Sequence, residues 1–270
     1  MILSHIERQV DRLKADFGLT PIIACELEFY LQGASQCATL DKFWTDVPRV
    51  CESLSAPLFK HEKETGQEQF EIALRPALAL KAAADILATK DILSMFAKHH
   101  DMVANFGAKP FADEPGSGLH VHVHLQDSSG KNLFYKDDER MSDPLRFSIA
   151  GLLAALPRTM SVFAPSEASY ARFVGKTNAP TTISWGANNR TTAIRLPDAA
   201  HDKKRIEHRV AGADAYPISV IAAMLQAMHE GLTQRQEPPA QIYGDASLEQ
   251  YQLPSLPKTL EEALALRAAS

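Results

Sequence analysis

Residues 116–125 of the 270-residue chain read GSGLHVHVHL, and this stretch decides the fold. After its two glycines, His120, His122 and His124 alternate with apolar residues. Alternation with period two is typical of a β-strand, so the three imidazoles share one face and the apolar side chains face a core. Imidazoles that line a cavity could bind a metal ion or a phosphate. A solvent-exposed strand face is the alternative, and the strand alone leaves both interpretations open.

Carboxylates at the same spacing favour the first interpretation. A strand is predicted over residues 21–31, PIIACELEFYL, where Glu26 and Glu28 share a face. Two acids on an otherwise apolar strand are unfavourable unless a cation lies between them. A further strand over 70–74 carries Glu71 and follows a turn at Gly66. The sequence therefore predicts several acidic strand faces that need a positive partner.

Helical periodicity separates the strands. Helices are predicted over residues 3–17, 40–54, 77–105 (one long or two joined), 144–165 (with Pro157 as a kink or an end), 214–232 and 259–268. Residues 181–185 and 191–196 are interpreted as a hairpin around GANNR. On a last strand over 205–210, RIEHRV, the side chains of Arg205, Glu207 and Arg209 share one face, and His208 faces away.

This order of elements predicts an α+β fold, a curved and mostly antiparallel sheet (an open barrel) that lines a cleft, with helices packed outside it. The length and core content suit a single domain over 1–270. Within it we expect residues 1–18 to form a leading helix and the Pro- and Gln-rich residues 234–270 to form a tail.

Composition excludes several classes of protein. The net charge of −5 argues against a nucleic-acid binder, which would present a basic face. No apolar run approaches the ~20 residues of a membrane span. Cys25, Cys37 and Cys51 have no CxxC spacing, which is typical of reduced thiols in a cytoplasmic protein.

Together the acids and one imidazole predict a metal-dependent phosphate site. Oxygen-rich sites suit Mg²⁺ or Mn²⁺ bridged by substrate phosphates. Arginines beside such metals would neutralise charge on phosphate oxygens. No GxxxxGK[ST] motif is present, so a P-loop is not expected. The candidate metal ligands are Glu26, Glu28, Glu64, Glu71, His120 and Glu207.

At this point the chain resembles the catalytic domain of glutamine synthetases, from about Leu19 to about Leu264. Several separate motifs occur in the family's order. They are ACELEFYL, ETGQEQFEIALRP, AKPF followed by GSGLHVHVHL, SYARFV, APTTISWGANNRTTAIRLP and RIEHRV. The SWGxxNRT motif is most similar to the sequences of the branch that joins glutamate to polyamines or other amines.

The resemblance implies roles for individual residues. One metal ion would be bound by Glu28, Glu64 and Glu71, and the other by Glu26, His120 and Glu207. Nucleotide phosphates would be contacted by His122, Arg190, Arg195 and Arg205, and the glutamate-like substrate by Gly116, Arg172 and Arg209. The catalytic candidates are Arg190 and Asn178.

The implied activity is that of an ATP- and Mg²⁺- or Mn²⁺-dependent carboxylate–amine ligase. ATP would phosphorylate a γ-carboxylate, and an amine would displace the phosphate to leave an amide. Two alternatives stay open. One is a degenerate relative that binds nucleotide and metal as a regulatory or partner subunit. The other is a phosphotransferase acting on a carboxylate or guanidino group, which rests on fold analogy alone.

Departures from the family concern the amine side of the site. The family's N-terminal β-grasp domain, which completes a neighbouring subunit's site, is expected to be lacking, as is the sequence beyond the LEEAL stretch. These losses put the family's ring-shaped oligomer in doubt, and we expect a homo-oligomer or a partner that supplies the domain.

Pro115 replaces an asparagine of the family, and Asn178 occupies the position of a flap glutamate that helps to deprotonate ammonium. Glu68 is expected to add negative charge beside Glu71.

Overall fold

The computed structural model describes residues 3–56, 58–136, 141–173 and 178–269. Its helices are α1 (Leu3–Phe17), α2 (Leu40–Ser53), α3 (Ala79–His99), α4 (Asp143–Phe163), α5 (Pro217–Gln234) and α6 (Leu260–Ala268). Its strands are β1 (Thr20–Gln32), β2 (Leu58–Lys63), β3 (Gln69–Leu74), β4 (Ala77–Leu78), β5 (Val103–Asn105), β6 (Leu119–Gln126), β7 (Trp185–Ala187), β8 (Ile194–Leu196) and β9 (Ile206–His208).

These nine strands form one sheet in the order β2-β3-β1-β6-β9-β8-β7, and β4 and β5 also pair with β1. Every strand pair except β7–β8 is antiparallel. The predicted α+β fold with a mostly antiparallel sheet is confirmed. The long strand β1 is the centre of the sheet, because four other strands pair with it.

The histidine strand has the two faces that its alternation predicts. Leu119, Val121, Val123 and Leu125 are at most 1% exposed and join the hydrophobic core. Helices α1, α3, α4 and α5 contribute the other side of that core. The apolar face of the sheet is thereby removed from water, and the opposite face, with the histidines, is left to line the cleft.

The predicted hairpin around GANNR is wrong, because β7 and β8 run parallel. The connection between β7 and β8 is hydrogen-bonded to the segment that follows α5. Asn188 has a left-handed backbone with φ of 49°, and the Asn189 amide donates to the carbonyl of Gly244 at 2.7 Å. The chain therefore turns back across the end of the sheet, and Trp185 pairs with Ile194 at the start of both strands.

Helix and strand boundaries differ elsewhere from the prediction. The helix predicted over 77–105 is α3 alone, with short strands β4 and β5 at its ends. Asp101, with φ of 56°, follows the end of α3 and turns the chain towards β1. Pro157 does not end its helix, since α4 continues to Phe163. The strand predicted over 205–210 is limited to β9. Val174 of the SYARFV motif lies outside the described residues.

No helix in the described ranges is long and apolar enough to cross a membrane. Cys25, Cys37 and Cys51 are free, as their spacing predicts.

The packing of α4 on α5 depends on two glycines. A Cβ on Gly231 would lie 2.2 Å from the carbonyl oxygen of Phe147, and one on Gly151 would lie 2.2 Å from that of Ala227. Such distances are far inside van der Waals contact, and both obstacles are helix backbone. The two helices can therefore approach this closely only without side chains at these positions.

We expect the substitution Gly231→Ala to destabilise the fold by about 1–3 kcal/mol, because overpacking outweighs the better helix propensity of alanine. Urea unfolding followed by circular dichroism measures this change. Ala154→Ser, which adds one atom at an exposed position of α4, is the matched control and should lie within about 0.5 kcal/mol of the parent. A stability equal to or above that of the parent for Gly231→Ala would contradict the packing argument.

Candidate active site

Strand register brings acids and imidazoles together on one face of the sheet. Glu26 of β1 lies opposite His120 of β6, and His122 lies opposite Glu207 of β9. The Nδ1 atom of His120 is 3.8 Å from Glu26 Oε2 and 3.8 Å from Glu207 Oε1. Ligand atoms of Glu26, His120 and Glu207 all lie within 4.8 Å of one another. The structure therefore brings together the three residues predicted to bind one metal ion.

The second predicted set is arranged less simply. Glu28 lies opposite Glu71 across β1 and β3, and these two carboxylates group with His120 within 4.8 Å. Glu64, just after β2, groups instead with Glu71 and with Glu62, which the prediction did not include. Glu71 thus belongs to two overlapping groups. All six predicted metal-ligating residues lie in one continuous cluster.

On the β1–β3 side of this cluster, nearby protein cations balance only part of the negative charge. Burial raises the pKa of Glu71 to about 9, and the charges of Glu26, Glu28 and Glu64 add to the effect. Burial and the charge of Glu28 also raise the pKa of Glu64. The carboxylates on the β1–β3 side therefore favour the uptake of a positive charge, whether a proton or a cation.

The β9 side of the cluster behaves in the opposite way. Burial alone would raise the pKa of Glu207, but the charges of His122, Arg209, His120 and Arg195 lower it to about 2. Burial likewise acts to raise the pKa of Glu26, and the imidazoles of His120 and His122 lower it. A carboxylate whose pKa is raised, Glu71, and carboxylates whose pKa is lowered, Glu26 and Glu207, thus lie within 4.8 Å of the same imidazole of His120.

Two arginines hold the carboxylate of Glu207. Arg195 donates to its Oε2 at 2.6 Å and to Asn188 Oδ1 at 2.8 Å, and Arg209 donates to its Oε1. The family resemblance implies a nucleotide contact for Arg195 and a substrate contact for Arg209, yet both side chains bind this one acid. Because both of its oxygens accept from arginine, Glu207 has a fixed orientation.

The remaining nucleotide-binding candidates have other partners. Arg205 donates from Nε to His122 Nδ1 at 3.1 Å, which directs His122 Nε2 towards Glu26 Oε1 at 3.1 Å. Arg190 is exposed, and its carbonyl accepts from Arg209. His124 is half-buried, and burial followed by the charge of Arg205 lowers its pKa.

A cavity of about 230 Å³ opens beside the acidic cluster. Its lining includes Gly116, Arg172 and Arg209, the residues that the sequence assigned to the substrate, and also Asn178. The Asn178 side chain is exposed, and its carbonyl accepts from Arg209 Nη2 at 3.3 Å. The predicted substrate and catalytic residues are therefore neighbours of the metal-ligating set.

Arg172 is held by the backbone at the end of β9. Its guanidinium donates to the carbonyls of Val210 at 2.9 Å and Arg209 at 3.1 Å, and burial lowers its pKa to about 10. A Cβ on Gly116 would lie 2.7 Å from Arg172 Cγ, and one on Gly118 would lie 2.7 Å from its Nη2. The glycines of the GSG sequence are needed for this close approach.

Several residues of the site were not predicted from the sequence. Gln69 is buried and donates from Nε2 to the carbonyl of Gly116 at 3.1 Å and to Ser117 at 3.2 Å, so it joins β3 to the GSG loop. Lys60 and Glu62 lie on β2, which was not predicted because its mostly exposed residues show no apolar alternation. The signal for Gln69 was a polar residue at the start of a strand that is apolar apart from Glu71.

Glu68 does not add its charge beside Glu71 as expected. Its carboxylate accepts from the backbone of Gly33 at 3.0 Å and of Ser35 at 2.7 Å, and its carbonyl accepts from Leu31. Its own backbone is left-handed, with φ of 58°. Because these donors turn the side chain towards the loop after β1, the acid fastens the β2–β3 turn to the sheet.

Comparisons with known proteins agree with the motifs. The family model described as glutamine synthetase, catalytic domain, matches residues 32–269. The chain is 33% identical over 266 residues to the gamma-glutamylputrescine synthetase PuuA of Escherichia coli K12, covering 88% of this chain and 56% of that protein. It is 31% identical to a glutamine synthetase of Pyrococcus abyssi, covering 96% of this chain and 64% of the relative.

Two further similarities concern an amine ligase and a solved structure. A glutamate–isopropylamine ligase of a Pseudomonas species is 35% identical over 185 residues, which cover 68% of this chain and 40% of the ligase. A structure described as a GmaS/ADP complex in conformation 1 superposes with a TM-score of 0.88 at 25% identity. It covers 100% of this chain, which in turn covers 68% of that structure. The chain thus spans between 56% and 68% of the length of the first two relatives and of the solved structure, and 40% of the length of the isopropylamine ligase.

His208 lies on the far side of β9 from the acids, as its position in RIEHRV predicts. It is fully buried against the ring of Phe163 at 4.5 Å, and neither ring nitrogen has a hydrogen-bond partner among the described residues. Burial lowers its pKa to about 3 from the ordinary value of 6.5. Between these two values the unfolded chain binds a proton that the folded chain does not, so folding stability falls as the pH falls through this range.

The substitution His208→Phe should therefore reduce the loss of unfolding free energy between about pH 7 and about pH 4 by roughly 1–3 kcal/mol. Urea unfolding at a series of pH values measures the slope. His99→Gln on the exposed end of α3 is the control and should leave the slope unchanged. An identical pH slope for His208→Phe and the parent would show that this imidazole is not the titrating group.

Proposed function

The chain belongs to the glutamine synthetase family, and on that premise we propose that it is an ATP-dependent ligase that joins the γ-carboxylate of glutamate, or of an analogue, to an amine. Because the chain spans 56% and 64% of its first relatives, their activity is carried over only as this proposal. The observation that supports it most strongly is the convergence of Glu26, His120 and Glu207 from three paired strands within 4.8 Å.

The donor set fits a divalent metal ion. Carboxylate oxygens with one imidazole are suited to Mg²⁺ or Mn²⁺, and burial together with the neighbouring acids raises the pKa of Glu71. We propose that two ions bind, one to Glu26, His120 and Glu207 and one to Glu28, Glu64 and Glu71. When bound, such ions would neutralise charge on the terminal phosphates of ATP.

The arginines and His122 are proposed to orient the nucleotide. Arg190 is exposed beside the acidic cluster, and Arg195 and Arg205 lie at its β9 side. Their charges would be directed at the phosphate oxygens, where negative charge is redistributed during transfer of the γ-phosphoryl group. Arg190 is the proposed catalytic arginine: its exposed side chain acts on Glu64 and, unlike those of Arg195 and Arg209, is paired with no carboxylate among the described ion pairs.

The cavity next to the cluster is proposed to hold the carboxylate substrate. Its volume of about 230 Å³ suits an amino acid, and Arg172 and Arg209 supply positive charge at its wall. Gly116 lies at the cavity wall, and its lack of a side chain makes room for Arg172. ATP would phosphorylate the γ-carboxylate there, and the amine nitrogen would then displace the phosphate to form the amide.

The acceptor is proposed to be an amine other than ammonia. Asn178 lies at the cavity and cannot take a proton, so this residue gives the incoming amine no help in losing its proton. That lack of help applies to ammonia and to alkylamines alike, since alkylammonium ions are no more acidic than ammonium. Two relatives have names that specify larger amines, putrescine and isopropylamine. We therefore propose an alkylamine or polyamine acceptor, with a second copy of the chain or a partner polypeptide completing the amine side of the site.

We expect phosphate release from ATP to require Mg²⁺ or Mn²⁺ and glutamate, and to rise about tenfold when the correct amine is added, equivalent to a barrier lower by ~1.4 kcal/mol. A coupled phosphate assay with ammonia, small alkylamines and diamines measures this, followed by mass spectrometry of the amide. Addition of a full-length relative tests whether a partner is needed.

Glu71→Gln is the control that links the activity to the site. It should lower the rate by about a hundredfold or more, because it removes a carboxylate from both overlapping acidic groups. Glu52→Gln, an exposed acid at the end of α2, should leave the rate unchanged. Tight ATP binding without turnover would contradict the ligase and support a regulatory subunit, and phosphorylated product without amine dependence would support a phosphotransferase.

A further inference from the structure

Lys60 lies on the edge strand β2, close to the acidic cluster but outside its proposed ligands. In the pairing of β2 with β3, Lys60 is opposite Ala73 and Glu62 is opposite Glu71. The Nζ atom of Lys60 is 2.5 Å from Glu62 Oε1 and 3.7 Å from Glu71 Oε1. One ammonium group therefore contacts both a surface acid and a buried acid of the site.

Glu71 is the acid that most needs a cation. It is buried, and Glu26, Glu28 and Glu64 all act on it with like charge. Among the ion pairs of the described residues, Lys60 supplies the only cation within 4.0 Å of Glu71. An ammonium at this distance offsets part of the negative charge of the cluster when no metal ion is bound.

The Lys60 ammonium lies at the edge of the cluster, where solvent reaches it. Burial acts to lower the pKa of Lys60, but the hydrogen bond with Glu62 and the charges of Glu71 and Glu26 raise it overall. Its side chain is 41% exposed, and Glu62 is 47% exposed. The ammonium can therefore swing away from Glu71 towards solvent while it keeps Glu62 as a partner.

We propose that Lys60 is a built-in competitor for the divalent cation at Glu71, held within reach by Glu62. The proposal rests on the metal site of the proposed function. A divalent ion that approaches Glu71 must overcome repulsion by the ammonium and displace it. Lys60 thereby weakens cation binding on the β3 side of the cluster and raises the cation concentration at which the site fills.

The opposite role would give the opposite result. If Lys60 instead held Glu71 in position, loss of the lysine would weaken cation binding. The sign of the change in affinity therefore distinguishes competition from structural support.

The test is a titration of the full chain with Mn²⁺. Binding is measured by calorimetry and, independently, by the electron paramagnetic resonance signal of the free ion. We expect Lys60→Gln to bind the weaker of the two ions about tenfold more tightly than the parent at low salt, an order of magnitude that follows from charges at this separation in a partly solvated site. The difference should narrow as salt is raised. Unchanged or weaker binding by Lys60→Gln would overturn the proposal.

Lys63→Gln is the matched control. Lys63 lies on the same exposed strand, carries the same charge, and points to the other face of β2. Its substitution should change the affinity by less than about twofold, because a charge on the other face of the strand is screened from the site by solvent and salt. An equal gain for Lys63→Gln would mean that only net charge matters, and this too would overturn the proposal.

The outcomes separate this inference from the function on which it rests. If the parent binds two Mn²⁺ ions and Glu71→Gln binds only one, the metal site at Glu71 stands, and the affinity of Lys60→Gln decides the inference alone. If the parent binds no Mn²⁺ in the cleft, both the proposed site and the competition fail. Thermal melting of each variant without metal shows that both lysine substitutions leave the fold intact.

Discussion

Repulsion among carboxylates on one face of the sheet is the constraint on which the rest of the structure depends. Glu26, Glu28, Glu71 and Glu207 are fixed on that face by strand register, and they cannot separate without breaking the ladders. The opposite face is committed to the core through Leu119 and its apolar neighbours. The acids must therefore be neutralised where they are.

The protein neutralises the two sides of the cluster differently. On the β9 side, Arg195 and Arg209 hold Glu207 and keep it ionised. On the β3 side, Glu71 has only the more distant contact with Lys60 among the described ion pairs. This asymmetry leaves one side preorganised and the other short of positive charge. A fixed anion beside an unbalanced one is a suitable arrangement for a metal ion that must also bind phosphate.

The sequence was most informative where local pattern and tertiary role coincide. Alternation predicted both faces of β6, and the two-residue spacing of Glu26 and Glu28 placed both on one face of β1. The sequence was least informative where contacts between distant residues determine the direction of a strand or the orientation of a side chain. The parallel course of β7 and β8 depends on the bond from Asn189 to Gly244, which no local pattern shows. The orientation of Glu68 likewise depends on donors in the loop after β1. Lys60 and Glu62 were missed because an exposed edge strand has no apolar signal.

The most direct measurement is anomalous diffraction from crystals grown with Mn²⁺ and a non-hydrolysable ATP analogue. The account predicts manganese peaks in the cleft between β1, β3, β6 and β9, with Glu71 and His120 among the ligands and the terminal phosphate of the analogue beside them. A nucleotide bound elsewhere, or a cleft without manganese at saturating concentration, would contradict the claim that the gathered acids exist to hold metal ions against phosphate.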